Sequence, residues 1–193
     1  MNFFEATYRG TPPWDIGEPQ PAFVQLEAEG RIKGPSVLDV GCDTGDTATF
    51  LAEKGYRVTG LDSAPTAIAK ARKKAKEKGV QAEFLVFDAL DLEGLNRRFD
   101  TVVDSGLFHV LSDAARQLFV GGLAGVLVPG GAYHMLCFST REKRLFGPRR
   151  LTPEEIRGCF EAQWEEQGIR ESRFATNFRR GCSWAWLVSF VRI

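Results

Sequence analysis

The stretch that decides the fold is Val37-Leu38-Asp39-Val40-Gly41-Cys42-Asp43-Thr44-Gly45-Asp46. A short apolar run leads into two glycines and then into a helix-forming segment. Glycines at a strand-to-helix turn let backbone N–H groups approach a ligand at a helix N-terminus. The spacing from Gly41 to Gly45 is G-x-x-x-G, which is not the G-x-G-x-x-G of dinucleotide binders. No Gly-Lys-Ser/Thr follows, so it is not a phosphate loop either.

Outward from this turn, apolar runs alternate with helical stretches. The first strand is Val37–Val40, entered through Gly34-Pro35, and a helix over about 46–54 ends at Gly55. A second strand covers 56–62. Ser63 is placed to cap the next helix, with Pro65 in its first turn and Gly79 at its end. Further strands are expected at 84–87, 99–104 and 132–138, with a helix over 113–127 closed by Pro129-Gly130-Gly131. Strands this apolar are covered on both faces, and alternation with helices implies parallel order with right-handed crossovers. After Phe138 comes a basic loop, then Thr152-Pro153-Glu154-Glu155, a capping signature for a helix. Two strands near 169–175 and 184–192, joined by a polar loop around 177–181, must pair as a hairpin, so one runs against the rest.

The chain has 193 residues, 44% hydrophobic and 26% charged, the composition of one globular domain. Three parts are expected within it: a strap or lid at 1–34, a core at 35–138, and a substrate-side loop, helix and hairpin at 139–193. Twenty-five basic residues balance twenty-five acidic ones, which argues against nucleic acid as the partner. No apolar run approaches the roughly 20 residues that span a bilayer, and the N-terminus carries no secretory pattern. Cys42, Cys137, Cys159 and Cys182 lack CxxC spacing and read as reduced cytoplasmic thiols. With only two histidines, no metal site is expected.

Charge selects the ligand. Asp62, Asp88 and Asp104 close three strands, and Asp39, Asp43 and Asp46 surround the first turn. The carboxyl ends of parallel strands form the ligand crevice. Carboxylates there repel a pyrophosphate and suit a ligand with hydroxyls, amino groups and a positive charge, such as S-adenosylmethionine. Asp62, 21 positions beyond Gly41, stands where an acid meets ribose hydroxyls.

Five pieces in order, VLDVGCDTGD (37–46), VTGLDSAPTAIAKAR (58–72), FLVFDAL (84–90), FDTVVDSGLFHVL (99–111) and LVPGGAYHMLCF (127–138), resemble the class I S-adenosylmethionine-dependent methyltransferases. The resemblance implies a Rossmann-like α/β fold: a seven-stranded, mostly parallel sheet with the last strand antiparallel and helices on both faces. It implies S-adenosylmethionine as cofactor and S-adenosylhomocysteine as product. Asp39, Gly41, Cys42, Asp43, Thr44 and Gly45 would then surround the methionine end. Asp62 would meet the ribose, with Ser63 and Ala64 beside it. Asp88, Ala89 and Leu90 would flank the adenine, and Asp104, Ser105 and Gly106 would lie near the sulfonium. Position 43 is usually Gly in that family; Asp tolerates the left-handed conformation, so the turn survives while the extra carboxylate bears on cofactor affinity. PPWDIGEPQP (12–21), LCFSTREKRLFGPRRLTPEEI (136–156) and AWLVSFVRI (185–193) are similar to a subgroup methylating small heterocyclic or quinolone-type toxins, akin to thiopurine and tellurite-resistance enzymes. There the Trp-Asp-x-Gly segment helps close the cofactor site, which favours a lid role for Trp14 over a structural clamp formed with Phe3, Phe4, Tyr8 and Phe23.

Several residues carry two readings. His109, just after the fourth strand, is either a general base or a helix-start residue that bonds the backbone. His134, inside a strand, reads as a satisfied core histidine. The six basic residues between Lys70 and Lys78 read as a solvated helix face rather than an RNA site. Arg141, Lys143, Arg144, Arg149 and Arg150 bind an anionic group or simply solvate a loop. Trp184 and Trp186 share one strand face and read as core or interface. The short chain leaves no target-recognition domain, which favours a small acceptor, with the protein a monomer or homodimer. The competing functions are a nicotinamide-dependent oxidoreductase, disfavoured by the acidic turn, and a non-catalytic cofactor-binding module.

Overall fold

The computed structural model describes residues 3–143, 147–177 and 181–193. Arg144 of the basic loop, positions 178–180 of the polar hairpin loop and the Phe3 side chain lie outside the described residues. Seven strands form one sheet: β1 (Ser36–Val40), β2 (Arg57–Asp62), β3 (Ala82–Val86), β4 (Phe99–Ser105), β5 (Leu127–Phe138), β6 (Trp164–Ala175) and β7 (Cys182–Arg192). Their order is β3-β2-β1-β4-β5-β7-β6. Strands β1 to β5 pair in parallel, and β7 pairs antiparallel with both β5 and β6. The order reverses between β1 and β4, and this is where ligands bind in open sheets of this kind.

Strand periodicity separates two cores. In β1 and β4, Leu38 and Val102 point to one face and Val37 and Val103 to the other. The first face is covered by α5 (Asp113–Val126), whose Phe119 and Leu123 are fully buried beside Tyr133. The second is covered by α2 (Pro21–Ala28), α3 (Asp46–Glu53) and α4 (Pro65–Lys78) through Phe23, Leu26, Leu51, Ile68 and Ala71.

Several boundaries differ from expectation for local reasons. Ala64, not Ser63, is the N-cap of α4, and no side chain caps it; the Asp62 carboxylate accepts the Ala64 N–H instead, at 2.8 Å. Strand β3 stops at Val86, two residues before Asp88, which caps a 3-10 helix (Ala89–Leu95) by accepting the Leu90 N–H. Pro129-Gly130-Gly131 does not separate helix from strand. Strand β5 starts at Leu127 opposite Phe99, and the triplet sits in a bulge before pairing resumes at Ala132. The 1–34 segment is more ordered than a strap: it holds α1 (Phe3–Thr7) and α2. The capping box at Thr152 forms as read, at the start of α6 (Pro153–Arg157).

Candidate functional site

The turn after β1 is built from three left-handed residues: Gly41 (φ 67°), Asp43 (φ 55°) and Gly45 (φ 81°). A Cβ on Gly45 would lie 2.8 Å from Ala71 Cβ and 2.9 Å from Phe84 Cε1, so α4 and β3 press directly on the turn. The Cys42 N–H donates to the Leu61 carbonyl at 2.8 Å, tying the turn to β2. Asp62 completes the tie: one carboxylate oxygen accepts the Asp43 N–H at 3.1 Å and the other accepts that of Ala64.

A small pocket of about 40 Å³, partly open to solvent, lies over this turn. It brings together Trp14, Asp39, Gly41, Cys42, Asp43 and Ser105 from the sequence-derived set. To these it adds Asp46, already placed at the turn by the sequence, and Glu18, Gln20, Thr47 and Phe174, which sequence reasoning missed. Phe174 is the penultimate residue of β6 and is 3% exposed. It packs against Gly106, where a Cβ would come within 3.1 Å of its ring, and meets Phe138 edge-on at 5.2 Å. Gln20 pairs its side-chain amide with both backbone groups of Ala175, at 2.8 and 3.0 Å, in the manner of an added strand residue. The signal for both was weak: an aromatic within an expected strand, and a Gln between two prolines.

The remaining candidates do not line this pocket. Thr44 faces a wider opening with Thr11, Asp15, Lys70 and Lys74. Gly45 and Ala64 are packed within the structure. Asp62 and Ser63 lie at the end of β2, and Asp88, Ala89 and Leu90 beyond the end of β3, further along the same edge of the sheet. Asp104 is fully buried, its carboxyl accepting the N–H groups of Leu107 and Phe108 and the Tyr133 hydroxyl at 2.7, 3.1 and 2.9 Å. It thereby shapes the turn that presents Ser105 and Gly106.

The carboxyls share a raised affinity for protons. Burial pushes Asp39 up to about 8, against the Ala48 N–H bond and helped by Asp104 and Asp43. Burial likewise pushes Asp43 and Asp104 up to about 7 and raises Asp62. Asp39 is 1% exposed, and among the described residues its Oδ2 has no hydrogen-bond partner. A buried acceptor without a donor costs free energy that a cationic, N–H-bearing ligand in the pocket recovers. The residues therefore fit the amino-acid end of S-adenosylmethionine.

His109 lies in a 3-10 turn (Phe108–Val110), 4% exposed and stacked on Phe138 at 4.6 Å. Its Nδ1 accepts the Phe138 N–H at 3.0 Å, and burial, with Arg116 and Arg150 nearby, depresses its pKa to about 3. It is a neutral ring bonded to the backbone. His134 bonds the Arg31 carbonyl through Nε2 and Ser189 through Nδ1. A carbonyl only accepts, so Nε2 carries the proton and the Ser189 hydroxyl donates to Nδ1. The basic face of α4 is largely paired: Lys74 with Asp46, Lys73 with Glu77, Lys78 with Glu53. Arg149 bridges Asp113 and Glu155, while Arg141 pairs with Glu171 and lies over Trp184. Trp186 packs on the core and donates to the Leu151 carbonyl.

A family model described as a methyltransferase domain matches residues 37–131. A 2-heptyl-1-hydroxyquinolin-4(1H)-one methyltransferase of Mycobacteroides abscessus is 35% identical over 191 residues, covering 92% of this chain and 82% of the relative. The chain belongs to the class I S-adenosylmethionine-dependent methyltransferases. A probable thiol methyltransferase 2 of Arabidopsis thaliana is 29% identical, covering 89% of this chain and 77% of its own length. A solved structure from work on the conversion of a disulfide bond into a thioacetal group during echinomycin biosynthesis superposes with a TM-score of 0.89 at 39% identity, covering 98% of this chain and 90% of that one. The protein is thus a Rossmann-like methyltransferase enzyme with S-adenosylmethionine as its cofactor. Among the described residues no helix is long and apolar enough to cross a membrane.

Proposed function

We propose that this methyltransferase acts on a small aromatic or heterocyclic acceptor through an O, N or S nucleophile. The observation that carries the reading is the pocket itself. It brings Asp39, whose Oδ2 has no partner among the described residues, together with Trp14, Phe174 and Ser105. The acidic residues suit the donor and the aromatic ones suit a flat acceptor. Relatives named for a hydroxyquinolinone and for a thiol support a small acceptor.

When bound, S-adenosylmethionine supplies an electrophilic methyl group. The chain's own work is to bind, orient and exclude water. Asp39, Gly41, Cys42, Asp43, Thr44 and Gly45 hold the methionine end. Asp62, with Ser63 and Ala64, meets the ribose. Asp88, Ala89 and Leu90 flank the adenine, and Asp104 positions Ser105 and Gly106 near the sulfonium. Trp14 closes the site from the 1–34 segment. His109 positions Phe138 rather than acting as a base, because its Nδ1 is held by a backbone N–H and burial disfavours its charged form. The whole chain works as one domain, monomeric or homodimeric. Its four cysteines, none in a disulfide, suit a reducing cytoplasm.

Calorimetry with S-adenosylhomocysteine and, separately, NADH is the first test. The reading requires binding of the former and none of the latter. Turnover is then measured with hydroxyquinolone, phenol and thiol acceptors; failure with all three classes refutes the acceptor assignment.

A further inference from the structure

We infer that His109 serves methyl transfer as a fixed hydrogen-bond donor: its Nε2–H meets a negatively charged oxygen of the acceptor. The tautomer follows from geometry. Nδ1 accepts the Phe138 N–H at 3.0 Å, so in the neutral ring the proton sits on Nε2. Packing fixes how the ring is turned. It stacks on Phe138, with centroids 4.6 Å apart, and lies 6.0 Å from the ring of Phe174, a pocket residue. Cε1, between the two nitrogens, would stand 3.3 Å from a Cβ on Gly106. The Cε1 edge is thus turned to the backbone beside Ser105, another pocket residue. Among the described residues no acceptor meets Nε2–H. A donor on a ring only 4% exposed is costly to leave unpaired, and a ligand oxygen satisfies it.

Charge decides what that oxygen carries. Among the described residues no carboxylate bonds the ring. Asp104, the acid of the same turn, is spent on the N–H groups of Leu107 and Phe108 and on the Tyr133 hydroxyl. Arg116 of α5 is 2% exposed and donates Nε to the carbonyl of the neighbouring Phe108 at 3.0 Å. Its Nη2 has no partner among the described residues. Arg150, whose field also reaches the ring, is a second cation. A neutral donor among cations favours an anion. The acceptor class is therefore an acidic hydroxyl on an aromatic or heteroaromatic ring, ionised before it binds. Its oxygen forms a C–O bond with the methyl as the C–S bond breaks, the electron pair staying on sulfur. The two charges cancel, and His109 keeps its proton throughout. The acceptor class rests on the proposed function; the tautomer does not.

The test separates the two ring nitrogens in the whole chain. His109→Asn puts an amide oxygen where Nδ1 accepts from Phe138 and removes the outer donor. His109→Gln carries an N–H out to the Nε2 position and gives up the bond to Phe138. With 4-nitrophenol as acceptor and S-adenosylmethionine saturating, His109→Asn should raise KM on the order of tenfold or more, with kcat within about threefold of the parent. His109→Gln should raise KM less. With thiophenol, whose sulfur accepts hydrogen bonds weakly, the His109→Asn effect should shrink to about two- or threefold. A purely structural histidine reverses the ranking, His109→Asn being the milder change, and a general base lowers kcat in both variants; either result would overturn the inference. If the parent methylates neither acceptor, the functional reading fails, and nitrogen-15 NMR of the ring still decides the donor. A neutral ring protonated at Nε2 is expected between about pH 5 and 8, its signal moved by added 4-nitrophenolate. A proton on Nδ1, a titration within that range, or a signal that 4-nitrophenolate leaves in place would refute it.

Discussion

Binding of S-adenosylmethionine should tighten as the pH rises from 5.5 to 7. In this window Asp39 carries a proton, since burial pushes it up to about 8 and its Oδ2 finds no donor among the described residues. The cofactor's ammonium, an α-amino group with a pKa near 8, is itself charged throughout. A cation set against Asp39 favours the ionised carboxyl, so each binding event expels a proton. One proton released makes Kd fall about tenfold per pH unit, ~1.4 kcal/mol. Over the window that is about thirtyfold. Asp43, pushed up to about 7, steepens the dependence if it ionises as well. The assay is titration calorimetry in two buffers of different ionisation enthalpy, which counts the protons directly. Asp39→Asn removes the titrating group. It should flatten the slope and weaken binding at pH 7. Affinity that is flat across the window with no proton release, or an Asn variant that keeps the parent's slope, would show that the cation does not sit against Asp39.

The same ionisation bears on the unliganded protein. A carboxyl whose pKa is raised on folding binds its proton more tightly in the folded state, so its contribution to stability is present at low pH and is lost as the pH climbs from about 4 to about 8. Asp39→Asn, which cannot ionise, should therefore gain on the parent by roughly 3 kcal/mol between pH 5 and 7.5 in urea unfolding; an equal difference at both pH values would contradict it. Gly45→Ala forces a left-handed φ on alanine and drives its Cβ against Ala71 and Phe84. A loss of roughly 2–5 kcal/mol is expected from strain and overpacking together, and a loss below about 1 kcal/mol in the same assay would mean that the turn is not pinned as described. Tyr133→Phe removes a donor from the buried Asp104 carboxyl and should cost about 1–3 kcal/mol of thermal stability; an unchanged melting temperature would refute that bond.

The central strands and their turn were legible because their signals are local. A buried parallel strand is an apolar run, and a left-handed turn asks for glycine. What stayed hidden depends on exposure or on tertiary contact. Strand β6 begins at Trp164, five residues ahead of expectation, because an edge strand carrying Glu165 and Glu166 shows no apolar run. Helix α2 passed unread since Pro19 and Pro21 crowd its start and its eight residues bury only Ala22, Phe23 and Leu26. The acids show the limit most clearly. Sequence placed Asp39, Asp62 and Asp104 at one edge of the sheet, but not what each carboxyl faces. Asp104 is held by three donors and Asp62 by two backbone N–H groups, whereas Asp39 keeps one oxygen without a partner. Three chemically identical side chains thus divide into two that brace loops and one with an oxygen unpartnered among the described residues. The division comes from which N–H groups the adjoining turns bring near: Leu107 and Phe108 to Asp104, and Asp43 and Ala64 to Asp62. Charge at the rim was thus predictable from strand ends alone, while the backbone N–H groups that reach each carboxyl were not.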